Sequence, residues 1–271
     1  MQSQNLIQNL EVRSGIASEQ SKNFSEEEHL QQYPETEAPR LVRQPRKTST
    51  GNSELRGRYL IYDLEIIKGI APKDDADRIP GIEYCSGWTD YRNMGISVWA
   101  QCYMDLSKPS EEWEIRSGTD LQEFKNSFEE FSLRLISPLP VGGFNTLKFD
   151  DKLMFANDFA IESDFDIFQM VLDAADMQDV AYWKLEPRRV YNLAAITAAN
   201  DLVKTLSGEQ APIEWQRGNK QLVIDYCRND VRIEALTLKL LLEGELIDPN
   251  TGEKLHYVDE VNPDLDAMEG F

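Results

Sequence analysis

The chain has 271 residues, of which 41% are hydrophobic and 28% charged, enough for one domain of about 200 residues plus tails. Its 28 Lys and Arg against 48 Asp and Glu give a formal net charge of -20, which disfavours a long, sequence-independent track along duplex DNA but not a nuclease, whose site gathers carboxylates and needs only local positive charge. No apolar run approaches the roughly 18 residues that span a bilayer, no secretory or transit pattern is recognised at the start, and Cys85, Cys102 and Cys227 lack C-x-x-C spacing; the expectation is a soluble cytoplasmic protein with no membrane partner, no zinc site and no disulfide framework.

Residues 1 to 56 are rich in Ser, Gln, Glu and Asn and read as a disordered N-terminal arm, whose Arg40, Arg43, Arg46 and Lys47 form a weak basic cluster. The run YLIYDLEII, Tyr59 to Ile67, has the apolar, β-prone character of a strand buried on both faces, yet it contains two carboxylates. Side chains two apart in a strand share a face, so Asp63 and Glu65 project together. Like charges that close raise each other's pKa or destabilise the strand unless a counter-charge intervenes, and a divalent metal supplies one. The plainer alternative puts Glu65 at the exposed end of the strand and leaves Asp63 held by hydrogen bonds.

Lys68 to Met94, with Pro, Gly and many Asp, reads as a long excursion over the site. Gly95 to Asp105 and Glu112 to Arg116 have the content of a second and third strand, an antiparallel meander with the first. Asp120 and Glu123 form a capping box, and Leu121, Phe124, Phe128, Phe131 and Leu135 recur at helical spacing over residues 119 to 135. Pro138 and Pro140 end that helix. The stretch GFNTLKFDDKLM then reads as a fourth strand, parallel to the first, turning into another helix, with Asn145, Phe149, Asp150 and Asp151 at the junction. The carboxyl ends of parallel strands are where α/β proteins place ligands. An apolar segment follows around Phe165 to Leu172, then a helix near Arg189 to Lys204, a Gly/Pro loop from Ser207 to Gly218 whose Trp215 either packs on that loop or stacks on a base, and a long helix from Asn219 to Glu243 stopped at Gly244. Residues 244 to 271 read as an acidic, turn-rich tail, either a strand pair or an arm.

In the long helix Tyr226 and Asp230 are four apart and share a face, with Val223, Ile233, Leu236 and Leu240 as apolar neighbours. An acid on a core face requires compensation. Three elements therefore each present a carboxylate they cannot satisfy alone, and four carboxylates around one point imply two divalent cations.

These residues form three ordered motifs: Y-D-L-E at Asp63 and Glu65, G-F-N-T-L-K-F-D ending in Asp150, and Y-C-R-N-D from Tyr226 to Asp230. The set resembles the 3′-5′ exonucleases with a ribonuclease H-like fold whose four acids are D, E, D and D with a tyrosine in the third motif. It looks most similar to predicted exonucleases related to the proofreading domain of B-family DNA polymerases. The resemblance covers about residues 57 to 243. It implies an α/β domain with a mixed five-stranded sheet, strands 1 to 3 antiparallel and strands 1, 4 and 5 parallel, flanked by helices. It also implies two Mg²⁺ or Mn²⁺ ions, with Asp63 bridging both, Glu65 and Asp230 on the water-activating ion, Asp150 on the second through water, and Tyr226 orienting the nucleophile. Asn145 and Phe149 would meet the terminal nucleotide, and Lys148, Lys152 and Arg228 its phosphates; core packing for Phe149 and a solvated surface for the cations are the competing readings. Asp150 fits the N-x-x-x-F-D register, which leaves Asp151 as a helix cap. The substrate implied is the 3′ end of single-stranded DNA or RNA, DNA favoured, with a helicase or polymerase as partner. Ile66 and Ile67 stand where the family often has Thr and Pro, and the only histidines, His29 and His256, are not near Asp230, which excludes the histidine form. A nuclease-fold accessory module without turnover and a structure-selective endonuclease are the alternatives. Deleting residues 1 to 52, whose composition supports no core, should leave the melting temperature unchanged; a large drop would place the arm on the domain.

Overall fold

A computed structural model describes residues 57–133 and 139–257. The expected disorder of the N-terminal arm and the end of the acidic tail lie outside the described residues. The central strand β1 (Arg58–Ile66) alternates as its sequence requires: Leu60, Tyr62, Leu64 and Ile66 enter one apolar cluster and Ile61 the other. After it the chain turns through β2 (Gly69–Ile70), β3 (Tyr84–Cys85) and the short helix α1 (Tyr91–Met94), with β2 and β3 paired in parallel. β4 (Ile96–Asp105) then runs antiparallel to β1, setting Asp63 opposite Ala100 and Glu65 opposite Val98. β5 (Glu114–Gly118) is antiparallel to β4.

Asp120 starts helix α2 (Leu121–Leu133) by accepting the Gln122 amide at 2.8 Å, and Phe124 and Phe131 bury against the sheet. β6 (Val141–Gly143) pairs parallel to β1, and β7 (Phe165–Asp166) parallel to β6, so the sheet order is β5-β4-β1-β6-β7. Helix α3 (Asp150–Ala156) joins α2 on one face. On the other lie α4 (Ile167–Ala174), α5 (Leu193–Ala199), α6 (Gln210–Gln216) and α7 (Lys220–Leu242). The domain is thus α/β, a mixed five-stranded sheet flanked by helices. No helix among the described residues is long and apolar enough to cross a membrane.

Several expected elements change shape for identifiable reasons. The fourth strand ends at Gly143, and most of GFNTLKFDDKLM is turn and helix. β6 is squeezed between neighbours: a Cβ at Gly142 would lie 2.4 Å from the Phe165 carbonyl oxygen, and one at Gly143 2.5 Å from that of Tyr62. The chain then leaves the sheet at Asn145, φ 66°, in a turn held by the Asp166 carboxylate, which accepts from the amides of Asn145 at 2.9 Å and Leu147 at 3.2 Å. The Gly/Pro loop of residues 207 to 218 contains α6, because Pro212 falls in its first turn, where an amide has no intrahelical partner to lose. Trp215 accordingly packs on the main core, with Lys220 Nζ 4.8 Å from its ring. The helix expected over residues 189 to 204 is confined to α5 by the Asn192 cap and by Asp201 at φ 55°. Packing also continues past residue 243: Leu246 and Leu255 are buried and Tyr191 donates to Asp248 at 3.3 Å, while among the described residues the strand pair is one bridge between Ile247 and Lys254.

Gly143→Ala should lower the unfolding free energy by about 1–3 kcal/mol, the usual cost of overpacking a close-packed position. A shift of the urea midpoint at constant slope checks it; an unchanged midpoint would mean that β6 can move away from β1.

Candidate metal and catalytic site

The site is built from β1, the start of α3 and the middle of α7. Of the four acids, Glu65, Asp150 and Asp230 are buried at 6%, 3% and 4% exposure, and Asp63 keeps a partial opening to solvent. α7 meets the sheet through a stripe of Val223, Tyr226, Cys227, Asp230, Val231, Glu234, Leu238 and Leu241, all buried and spaced three or four apart. Leu236 and Leu240, expected on that face, are half-buried at its flank.

Adjacent acids at the start of α3 have opposite fates. Asp151 is consumed structurally: it accepts from the Tyr62 hydroxyl, from Ser163 Oγ at 2.8 Å and from the Ser163 amide at 3.0 Å. Asp150 is buried with its Oδ1 lacking any hydrogen-bond partner among the described residues, and the same is true of Asp230 Oδ1. A buried carboxylate oxygen left bare is costly. Two bare oxygens from two elements, beside two further acids, fit the donor set of a bound cation.

The acids act on one another. Burial, then Asp230, pushes the Asp63 carboxyl up to about 7, against the pull of the Lys204 ammonium. Burial followed by Asp63 and Asp230 raises Glu65 well above the carboxylate range, and burial followed by Asp63 and Asp151 does so for Asp150. Asp230 is raised by burial and held back by Lys204, with which it forms an ion pair. For Tyr226, burial and then Glu65 and Asp230 push the phenol far upward, which favours its protonated form.

Asp63, Glu65 and Cys227 each offer a ligand atom within 4.8 Å of the others. The Cys227 thiol is raised well above its ordinary value, by burial first and then by Asp63, and lies 3.5 Å from Asp63 Oδ2 as a donor. The ligands available are therefore carboxylate oxygens, a hard set suited to Mg²⁺ or Mn²⁺.

Asp63, Glu65, Asp150, Tyr226 and Asp230 are thus brought together. Lys148 and Lys152 are exposed: Lys148 Nζ lies 5.7 Å from the Phe168 ring, and Lys152, two residues after Asp150 in α3, points roughly 200° round that helix from it. The Phe149 ring meets Trp88 and Tyr91 at 5.9 and 6.0 Å. Asn145 shapes the intervening turn. Arg228 is not brought to the cluster: two residues from Tyr226, it points roughly 200° round the helix and donates to Ser117 on β5 at 3.2 Å.

Two residues escape the sequence reading. Glu234, 2% exposed, is raised by burial and then by Asp63, Asp150 and Asp230, and accepts from the Phe144 amide at 3.2 Å. Its signal was present, since it follows Asp230 by four residues as Asp230 follows Tyr226. Lys204 carries no such signal, because it reaches Asp230 from the loop after α5. Comparison with protein-family models, curated proteins and solved structures finds no match.

In the metal-free protein Asp63 holds its proton more tightly folded than unfolded. Its contribution to stability is complete below its ordinary 3.8 and is lost as the pH rises through about 7. Divalent cations must displace that proton, so Mn²⁺ should raise the melting temperature more at about pH 8 than at about pH 6, and Asp63→Asn should remove most of the effect. A melting curve indifferent to millimolar Mn²⁺ across that range would contradict the site.

Proposed function

We propose that the chain is a metal-dependent 3′-5′ exonuclease with a ribonuclease H-like fold, hydrolysing phosphodiester bonds at single-stranded ends, DNA in preference to RNA. The carrying observation is the convergence of Asp63, Glu65, Asp150 and Asp230 from three elements, with bare oxygens on two of them. The order β5-β4-β1-β6-β7, with acids on its central strand, supports the fold reading. Three buried free thiols are in keeping with a reducing cytoplasm.

The four acids would hold two Mg²⁺ or Mn²⁺ ions, which when bound supply a water of lowered pKa and charge neutralisation at the phosphate. The chain's own groups orient the reactants. Tyr226, kept protonated beside Asp230, can donate to that carboxylate and accept from the attacking water, fixing its direction. Lys204, which pairs with Asp230, would place an ammonium at the edge of the acid cluster, where it could stabilise negative charge developing on the phosphate. Lys148 and Lys152, exposed and flanking Asp150 in sequence, would add positive charge for the phosphates of a strand in a chain of net charge -20.

Incubation of 5′-labelled single-stranded DNA and RNA with Mg²⁺ or Mn²⁺ should give products shortened stepwise from the 3′ end. Tyr226→Phe keeps the ring and the ligands and should lower kcat by about ten- to a thousandfold at unchanged metal affinity, whereas Asp230→Ala should weaken both. Internal fragments would make the protein an endonuclease, and an absence of product would leave a binding module.

A further inference from the structure

A buried thiol lies inside the acid cluster. Cys227, on the face of α7 that meets the sheet, precedes Asp230 by three residues and so shares a side of the helix with it. Its Sγ donates to Asp63 Oδ2 at 3.5 Å and to the Asp63 carbonyl oxygen at 3.6 Å, and Asp63, Glu65 and Cys227 bring one ligand atom each within 4.8 Å of one another. The other cysteines are placed differently: Cys85 Sγ donates to the carbonyls of Gly69 and Gly87, and Cys102 is buried in the apolar cluster on the α7 side of the sheet.

Hard cations take the carboxylates and leave this thiol as a donor to Asp63. A thiophilic cation can take all three. Tetrahedral zinc, with bonds of about 2.3 Å to sulfur and about 2.0 Å to a carboxylate oxygen, puts those two ligand atoms about 3.5 Å apart, the separation already found between Cys227 Sγ and Asp63 Oδ2. An independent sign that this place takes a cation is Asp230, 4% exposed, whose bare Oδ1 lies one turn along the same face and whose charge is felt at both Asp63 and Cys227. Missing C-x-x-C spacing argues against ligands drawn from one stretch of chain; it does not bear on a set assembled from β1 and α7.

We propose that Asp63, Glu65 and the Cys227 thiolate form a zinc site, with water in the fourth position, that excludes Mg²⁺ and Mn²⁺ and makes zinc an inhibitor of the protein. On binding, the Cys227 S–H bond breaks, its proton passes to solvent and a sulfur lone pair forms the bond to zinc, with no change of oxidation state. Zinc binds a given set of ligands more tightly than Mn²⁺, and a thiolate widens the gap. With Asp63 and Glu65 engaged, acids needed by the water-activating ion are occupied. The site stands apart from any reaction; the inhibition rests on the exonuclease reading.

The test uses Cd²⁺ as a spectroscopic substitute for zinc and reads the ultraviolet charge-transfer band of a cadmium–thiolate bond in the full, metal-stripped chain. Cd²⁺ should raise the band in the wild type, and Zn²⁺ should abolish it by competition. Cys227→Ser should remove the band and weaken zinc binding by at least about tenfold, since losing even an outer-shell partner of a metal costs that much, whereas Cys85→Ser and Cys102→Ser should keep both. The urea midpoint of each variant shows whether the domain is intact. Should Cys227→Ser fail to fold, Asp63→Asn carries the same test, because it keeps the thiol and removes the ligand beside it. No band in the wild type, or a band of wild-type strength in folded Cys227→Ser or Asp63→Asn, would overturn the site. In Mn²⁺-supported hydrolysis of labelled single strands, Cys227→Ser should need about tenfold more zinc for the same fractional inhibition, each rate being taken relative to its own zinc-free value. A Cys227-dependent band without hydrolysis would remove the exonuclease reading and keep the zinc site; hydrolysis that zinc inhibits equally in both chains would do the reverse.

Discussion

Burial of acids away from water, compounded by their mutual repulsion, is the constraint around which this domain is arranged. Raising Asp63 from 3.8 to about 7 corresponds to a penalty on its ionised form on the order of 4 kcal/mol, and Glu65, Asp150 and Glu234 are displaced in the same direction. The domain holds these groups together by packing around them. Val223, Val231, Leu238 and Leu241 pin α7 to the sheet. Burying an aliphatic side chain of that kind contributes roughly 1.5–3 kcal/mol, so a few of them exceed the penalty on one acid. The Lys204 ammonium offsets a further part at Asp230.

That packing would be of little use if the second wall of the site could drift. Gly142 and Gly143 let β6 approach β1 and β7 more closely than any side chain permits, and Asp166 then locks the turn that swings Asp150 inward. Glu234 joins the walls directly, reaching from α7 to the Phe144 amide where β6 ends. Asp151 secures the far side of α3 through Tyr62 and Ser163. The bare oxygens of Asp150 and Asp230 consequently sit on rigid elements, the preorganisation that metal binding and electrostatic catalysis both exploit.

Much of this was legible in the chain because periodicity carries it. The shared face of Asp63 and Glu65 follows from the alternation of β1, and the shared face of Tyr226 and Asp230 from the turn of α7; Glu234 obeys the same rule but lies outside the third motif. Short elements were harder. β6 and β7 have three and two residues, too few to show a period, and α6 was hidden by a proline whose cost depends on its position in the helix. Lys204 and Arg228 were illegible in a stronger sense. The place of a long side chain is decided by tertiary neighbours, which brought an unremarked lysine onto Asp230 and sent Arg228 to Ser117.

The claim that this acid cluster is a two-cation centre is tested most directly by counting ions. Titration of the full chain with Mn²⁺, followed by electron paramagnetic resonance of the free ion, should show two bound per chain. Their signal should be broadened by mutual coupling, as expected for ions roughly 3.5–4 Å apart, and no coupled pair should form in Asp150→Asn. A wild-type chain that binds no Mn²⁺ at millimolar concentration would leave the bare oxygens of Asp150 and Asp230 without their cation and the account without its centre.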